Sequence, residues 1–211
     1  MSKLDEVKTQ VVAGKTKLVP GLIQEALDEG SSPNDILQSM IDGMKVVGDR
    51  FSAGEIFVPE MLIAAKAMKK GVEVLEPHLA GDGSTFLGTC VIGTVKGDLH
   101  DIGKSLVSLM IGSAGFNMVD LGVDVPAARF VEAIKENGNV KLVACSGLLT
   151  TTMAAMKETV KTIKNSGLSG FKVIVGGAPI TPGFAAEIGA DAYAPDAGAA
   201  AIKAKEIVAA I

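Results

Sequence analysis

His100 is one of two histidines in 211 residues, and its neighbours give it a chemical setting that His78 lacks. It stands in Val95-Lys96-Gly97-Asp98-Leu99-His100-Asp101-Ile102-Gly103-Lys104, between a β-branched run at Val91-Ile92 and a helix-like run from Ser105 to Met110. An imidazole in a strand-to-helix loop, two residues after a carboxylate, has the parts of a metal ligand and of the group that holds its other nitrogen. A ligating histidine commonly gives its second ring N–H to a carboxylate, which fixes the tautomer and raises the basicity of the ligating nitrogen. A rival reading of the same loop is a phosphate cradle, because Gly103-Lys104-Ser105 copies the end of such a motif. That motif also needs a glycine where this chain has Asp98, and an acid there would repel a triphosphate. No dinucleotide fingerprint of the GxGxxG kind follows the first strand either.

The elements that must position this loop fall into two halves with different periods. The first eighty or so residues read as helices. Ser2 caps one that runs to about Val12, and Lys15 to Asp28 makes a second, ended by Gly30. Ser32-Pro33 opens a third, with proline at the first helical position, where its missing N–H costs nothing. Pro59 opens a fourth, in which Met61, Leu62, Ala65, Met68, Val72 and Leu75 recur as one buried face. Short turns between such helices predict a small bundle. A polar, glycine-rich stretch at Gly81–Thr85 is the natural linker and the expected hinge. After it, short apolar strands alternate with helices: Gly88–Val95, Asn117–Leu121, Leu142–Ser146, Lys172–Val175 and Ala192–Ala194, with helices beginning near Gly103, Pro126, Thr151, Pro182 and Ala197. That alternation predicts a five-stranded parallel, doubly wound sheet covered on both faces. In the flavodoxin-like strand order, the loops after the first and third strands face each other across the switch point. The expected division is a helical bundle over 1–82, a linker over 83–87 and an α/β domain over 88–211.

Composition excludes several functions. Apolar residues make up 48% of the chain, enough for a packed core in each half. Aromatics amount to 4% with no Trp, which leaves little for stacking on bases. The net charge of -4 is spread along the chain, so no polyanion-binding surface is marked and nucleic acid is not expected as a partner. The first residues read as a helix start rather than a secretion signal, and the weakly polar stretch between Lys141 and Lys157 is too short to cross a bilayer. No membrane partner is therefore expected. Cys90 and Cys145 sit alone inside apparent strands and read as small core residues, not as a disulfide or metal pair. The cytoplasm fits these features.

Asp98-x-His100-x-x-Gly103 resembles the cobalt-ligand motif of cobalamin-binding proteins of the methionine synthase and corrinoid methyltransferase family. Ser146-Gly147-Leu148 resembles the second signature of that family and Gly176-Gly177 its third, in the same order and at similar spacings. Either is common turn material alone, and the double glycine also reads as a tight strand exit. In the helical half, Gly43-Met44-Lys45-Val46-Val47-Gly48-Asp49-Arg50-Phe51 and Gly54-Glu55-Ile56-Phe57-Val58-Pro59-Glu60-Met61 resemble the helical cap of the same family.

The resemblance implies a bound cobalamin or related corrinoid, with His100 as lower axial ligand to cobalt and Asp98 accepting its other N–H. Thr152 stands where many members have a serine that completes the relay, so Asp98, His100 and Thr152 form the implied catalytic set. Gly97, Leu99, Asp101, Ile102 and Gly103 would surround the ligand. Ser146 and Thr150 would contact the buried side of the cofactor, with Leu148 lining the channel, and Gly176, Gly177 and Ala197 would lie around its nucleotide tail. Phe51, Val58 and Met61 match the cap residues above the metal, although periodicity alone makes them bundle core. The implied function is a methyl carrier between a substrate-specific methyltransferase and a second one that serves a folate or thiol coenzyme, with a reductive activator. By this reading the chain is one component of a multi-protein system rather than a complete enzyme. Three alternatives remain open: the cobalamin subunit of a mutase, a cobalamin-dependent sensor, and an α/β binding module without cofactor.

Overall fold

The computed structural model describes residues 2–79 and 86–211. The predicted hinge at Gly81–Thr85, and with it most of the linker placed at 83–87, lies outside the described residues. The chain forms two compact units, one built on helices and one on a sheet.

The helical unit contains α1 (Lys3–Val12), α2 (Val19–Asp28), α3 (Pro33–Ser52) and α4 (Val58–Leu79). Ser2 and Ser32 are the N-caps of α1 and α3, and their side chains accept from Asp5 N–H and Asp35 N–H. α2 starts four residues later than the predicted Lys15. Pro20 explains the difference: a proline with no N–H is accommodated in a first turn and not at a sixth position. The buried face of α4 runs through Met61, Ala64, Ala65, Met68, Gly71 and Leu75. Leu62, expected on that face, is 42% exposed, because one step of about 100° from Met61 turns it off the stripe. Val72 is half-buried.

The second unit is a five-stranded parallel sheet of β1 (Gly88–Thr94), β2 (Phe116–Asp120), β3 (Val140–Ser146), β4 (Lys172–Gly176) and β5 (Ala192–Ala194), in the order β2-β1-β3-β4-β5. α5 (Ile102–Ser113), α6 (Ala127–Glu136), α7 (Met153–Lys164), α8 (Pro182–Glu187) and α9 (Ala197–Val208) connect or follow the strands, and a 3-10 turn at Thr150–Thr152 precedes α7. Side chains alternate across the sheet with the period-two pleat. Cys90, Ile92, Leu142, Ala144 and Ile174 pack with Ile111 of α5 and with Ala200 and Ala204 of α9. Val91, Val143, Cys145, Val173 and Val175 pack on the other face with Phe130 of α6 and with Met156, Val160 and Ile163 of α7. The sheet is thus doubly wound, and its order places the loops after β1 and β3 side by side. No described helix is long and apolar enough to cross a membrane.

Candidate functional site

The register at the carboxyl edge of the sheet aligns Thr94, Ser146, Gly176 and Ala194 in one row across four strands. Beyond that row the loop after β1 turns through Gly97, whose φ of +83° strains any residue with a side chain. The turn directs Asp98 inward, where it is fully buried.

A buried carboxylate is costly unless each oxygen is satisfied. Here both are. Oδ1 accepts from the His100 backbone N–H at 3.1 Å and lies 2.7 Å from His100 Nδ1. Oδ2 accepts from Leu148 N–H at 2.6 Å, from Leu149 N–H at 3.3 Å and from the Thr152 hydroxyl at 3.1 Å. The Thr152 hydroxyl also lies 2.9 Å from the Leu149 carbonyl, so its single proton has a choice of two acceptors. Burial pushes the Asp98 carboxyl up, and the hydrogen bonds from Leu148, His100 and Thr152 outweigh it, bringing the group down to about 2. At neutral pH Asp98 is therefore an anion that can only accept, and the proton of this contact belongs to His100 Nδ1.

The same contact selects the tautomer: in a neutral imidazole with its proton on Nδ1 the lone pair is on Nε2, and the His100 side chain stands 50% exposed. Thr94, itself fully buried, donates its hydroxyl to the His100 carbonyl at 2.9 Å and fixes the backbone there. Large apolar side chains stand in solvent on the same two loops and at the first residue of α5: Leu99 at 72%, Ile102 at 77%, Leu148 at 44% and Leu149 at 39% exposure. Exposed apolar groups around one free nitrogen donor suit a broad, largely apolar ligand that offers one coordination position. Among the described residues no three His, Cys, Asp or Glu side chains cluster to hold a metal. A bare divalent ion takes three or four protein donors, whereas one imidazole suffices for a metal already held in a macrocycle. The residues present fit such a group.

The other predicted residues fall into three places. Ser146 ends β3, and its carbonyl accepts from Val95 N–H at 3.0 Å. Thr150 is exposed in the 3-10 turn, as are Asp101 and Gly103 at the start of α5, and Ala197 is buried at the start of α9. Gly176 and Gly177 have a packing reason of their own. A Cβ on Gly177 would stand 1.9 Å from the Gly147 carbonyl oxygen, and one on Gly176 would stand 2.8 Å from that of Ala194. Phe51 and Val58 are half-buried and Met61 is fully buried, all within the helical unit.

Sequence reasoning passed over the loop after β2. Lys104, the lysine of the phosphate-loop look-alike, is 4% exposed and ion-paired with Asp120 at the end of β2, so it is already engaged. Asp124 accepts from Gly97 N–H at 2.7 Å and donates its own N–H to the Asp98 carbonyl at 2.9 Å. The available signal was topological: β2 adjoins β1, so its carboxyl-end loop borders the same site.

Residues 88–203 match one B12 binding domain family and residues 3–76 match a second family of the same description. A corrinoid protein of Desulfitobacterium hafniense is 40% identical over 213 residues, covering 99% of this chain and 98% of its own. Dimethylamine corrinoid protein 2 of Methanosarcina mazei is 42% identical over 208 residues, covering 97% of this chain and 96% of its own. Among solved structures, a chain of the methanol:cobalamin methyltransferase complex of Methanosarcina barkeri superposes with a TM-score of 0.82 at 30% identity, covering 97% of this chain and 79% of that one.

Proposed function

Because the chain belongs to the B12-binding corrinoid proteins of methyltransferase systems, we propose that it is a methyl carrier whose His100 supplies the lower axial nitrogen to the cobalt of its corrinoid. The observation that carries the proposal is the Asp98–His100 contact, which engages Nδ1 on a half-exposed side chain and so makes Nε2 the nitrogen left to coordinate. The bound corrinoid supplies a cobalt that takes up and gives up a methyl group. Asp98 holds the tautomer, keeps the proton on Nδ1, and would stabilise an imidazolium whenever Nε2 takes a proton instead of donating to metal. Thr152 offers its hydroxyl to the same carboxylate; its methyl group restricts the rotamer more than a serine would. Leu99, Ile102 and Leu148 would exclude water from the ligated side.

The remaining assignments follow the motif match. Gly97, Asp101, Gly103, Ser146 and Thr150 are proposed to line the cofactor, and Gly176, Gly177 and Ala197 to border its nucleotide tail. Phe51, Val58 and Met61 are proposed cap residues, with a helical domain over 1–82, a linker over 83–87 and the cofactor domain over 88–211. The proposed partners are a methyltransferase specific for a methylated one-carbon substrate, a second methyltransferase acting toward a folate or thiol coenzyme, and a reductive activator. The names of the relatives, one for dimethylamine and one for methanol, support the first of these. Cys90 and Cys145, both buried free thiols, fit a reducing cytoplasm.

His100→Gly tests the proposal. The variant should still take up part of the cobalamin, held by its other contacts, with a visible spectrum changed from that of the loaded parent. A variant that matches the parent in uptake, spectrum and methylation would refute the ligand assignment.

A further inference from the structure

The loop that carries His100 is held from two sides, and only one of them involves the Asp98 carboxylate. On the first side the loop after β3 supplies Leu148 N–H, Leu149 N–H and the Thr152 hydroxyl to Oδ2. On the second, the loop after β2 holds the backbone. Thr94 N–H donates to the Gly122 carbonyl at 3.0 Å, Val125 N–H donates to the Thr94 carbonyl at 2.9 Å, and Val95 bridges Val125. Asp124 lies within this set with a φ of +54°, one of two non-glycine residues in the left-handed region among those described. Such a conformation is strained for an ordinary residue and persists where surrounding contacts impose it.

We infer that Asp124 is a positioning residue for the axial histidine, clamping the Gly97–Asp98 segment by its side chain and its backbone together. Its carboxylate takes Gly97 N–H and its own N–H gives to the Asp98 carbonyl, so the segment is gripped at both ends. The grip sets the direction in which the Asp98 side chain leaves the backbone, and therefore where Oδ1 meets His100 Nδ1. The left-handed backbone is what lets one residue present both groups to the same segment. Asp124 is exposed, and its hydrogen bonds to this loop go to Gly97 and Asp98, so it acts on His100 through them. The Lys104–Asp120 pair fastens the start of α5 to the end of β2 and leaves the short segment between to this clamp. The inference rests on the reading of His100 as metal ligand.

Two substitutions separate the side chain from the backbone. Asp124→Asn keeps a carbonyl oxygen and tolerates the left-handed region, whereas Asp124→Gly relaxes the backbone and deletes only the acceptor. Parent and variants, produced with nitrogen-15 histidine and loaded with cobalamin, are compared in the Co(II) state by electron paramagnetic resonance. A protein nitrogen-15 on cobalt gives a doublet and the cofactor's own nitrogen-14 base gives a triplet. The expected result is a doublet in the parent and in Asp124→Asn. In Asp124→Gly the ratio of histidine-ligated to histidine-free cobalt should fall about tenfold or more, the worth of one charge-assisted hydrogen bond. An Asp124→Gly ratio equal to that of a doublet-bearing parent overturns the inference and leaves the ligand assignment standing. A triplet in the parent overturns the ligand assignment and the inference with it. Amide exchange in the cofactor-free parent is a second readout that needs no variant to fold. Gly97 N–H should exchange at least about tenfold more slowly than the N–H of its exposed neighbour Lys96, and equal rates would show that the clamp is not formed.

Discussion

The two units hold their candidate residues by different physics. In the helical unit Met61 is fully buried on the apolar face of α4 and Phe51 and Val58 are half-buried, so packing alone accounts for them. In the α/β unit Asp98 is buried with both oxygens fully engaged, beside a histidine left half in solvent. A buried methionine is the ordinary outcome of an amphipathic helix, whereas a buried anion costs free energy and persists only if its partners are fixed. The α/β site is therefore a place where side-chain identity matters atom by atom. The candidate positions of the bundle are ones where volume and shape matter.

Glycine substitutions sharpen this contrast most. Gly177→Ala should destabilise the protein by roughly 3 kcal/mol or more, because the added Cβ meets backbone 1.9 Å away at a positive φ. Gly71→Ala, in the core of α4, meets the flexible ends of Met40 and Ile23 instead. Its helix-propensity gain offsets part of the overpacking, and it should stay within about 1.5 kcal/mol of the parent. Urea denaturation of both variants checks the pair, and similar losses would erase the distinction.

Isosteric changes test the same point at the candidate residues. Asp98→Asn puts an NH2 where only acceptors are wanted and should cost about 2–3 kcal/mol. Met61→Leu should cost less than about 1.5 kcal/mol in the same denaturation measurement.

Acid should act through Asp98 as well. Its folded-state carboxyl is lowered to about 2 from 3.8, so its contribution is fully present above about pH 4 and is lost as pH falls through about 2. The loss should be on the order of 2 kcal/mol and should vanish in Asp98→Asn, as read from denaturation midpoints at pH 6 and pH 2. The smallest effect is expected from Thr152→Ser, which keeps the hydroxyl and removes one methyl, at about 1 kcal/mol or less in thermal unfolding.

Much of this was legible in the sequence, and for local reasons. Ser2, Ser32 and Pro33 announce helix starts by side-chain chemistry that acts within one turn. The five strands announce themselves by short apolar runs, and the resulting parallel order brings Asp98 to the loop of Leu148 and Thr152 without any further signal. What stayed hidden depends on partners distant in sequence. Leu62 looks like a core residue until the exact helical phase is known. Lys104 looks like a phosphate ligand until Asp120 is seen beside it. Asp124 carries no mark at all, because its role comes from a backbone angle and from two bonds to residues more than twenty positions earlier.

The central claim, that His100 is the protein ligand to the metal, is tested most directly by the Co(II) resonance of the cobalamin-loaded parent grown with nitrogen-15 histidine. The account predicts a doublet axial splitting, and with His78 as the only other histidine the signal should disappear in His100→Gly and survive in His78→Gln. A triplet, unchanged from protein grown with ordinary histidine, would mean that the cofactor keeps its own base and that the Asp98–His100 pair serves something other than ligation.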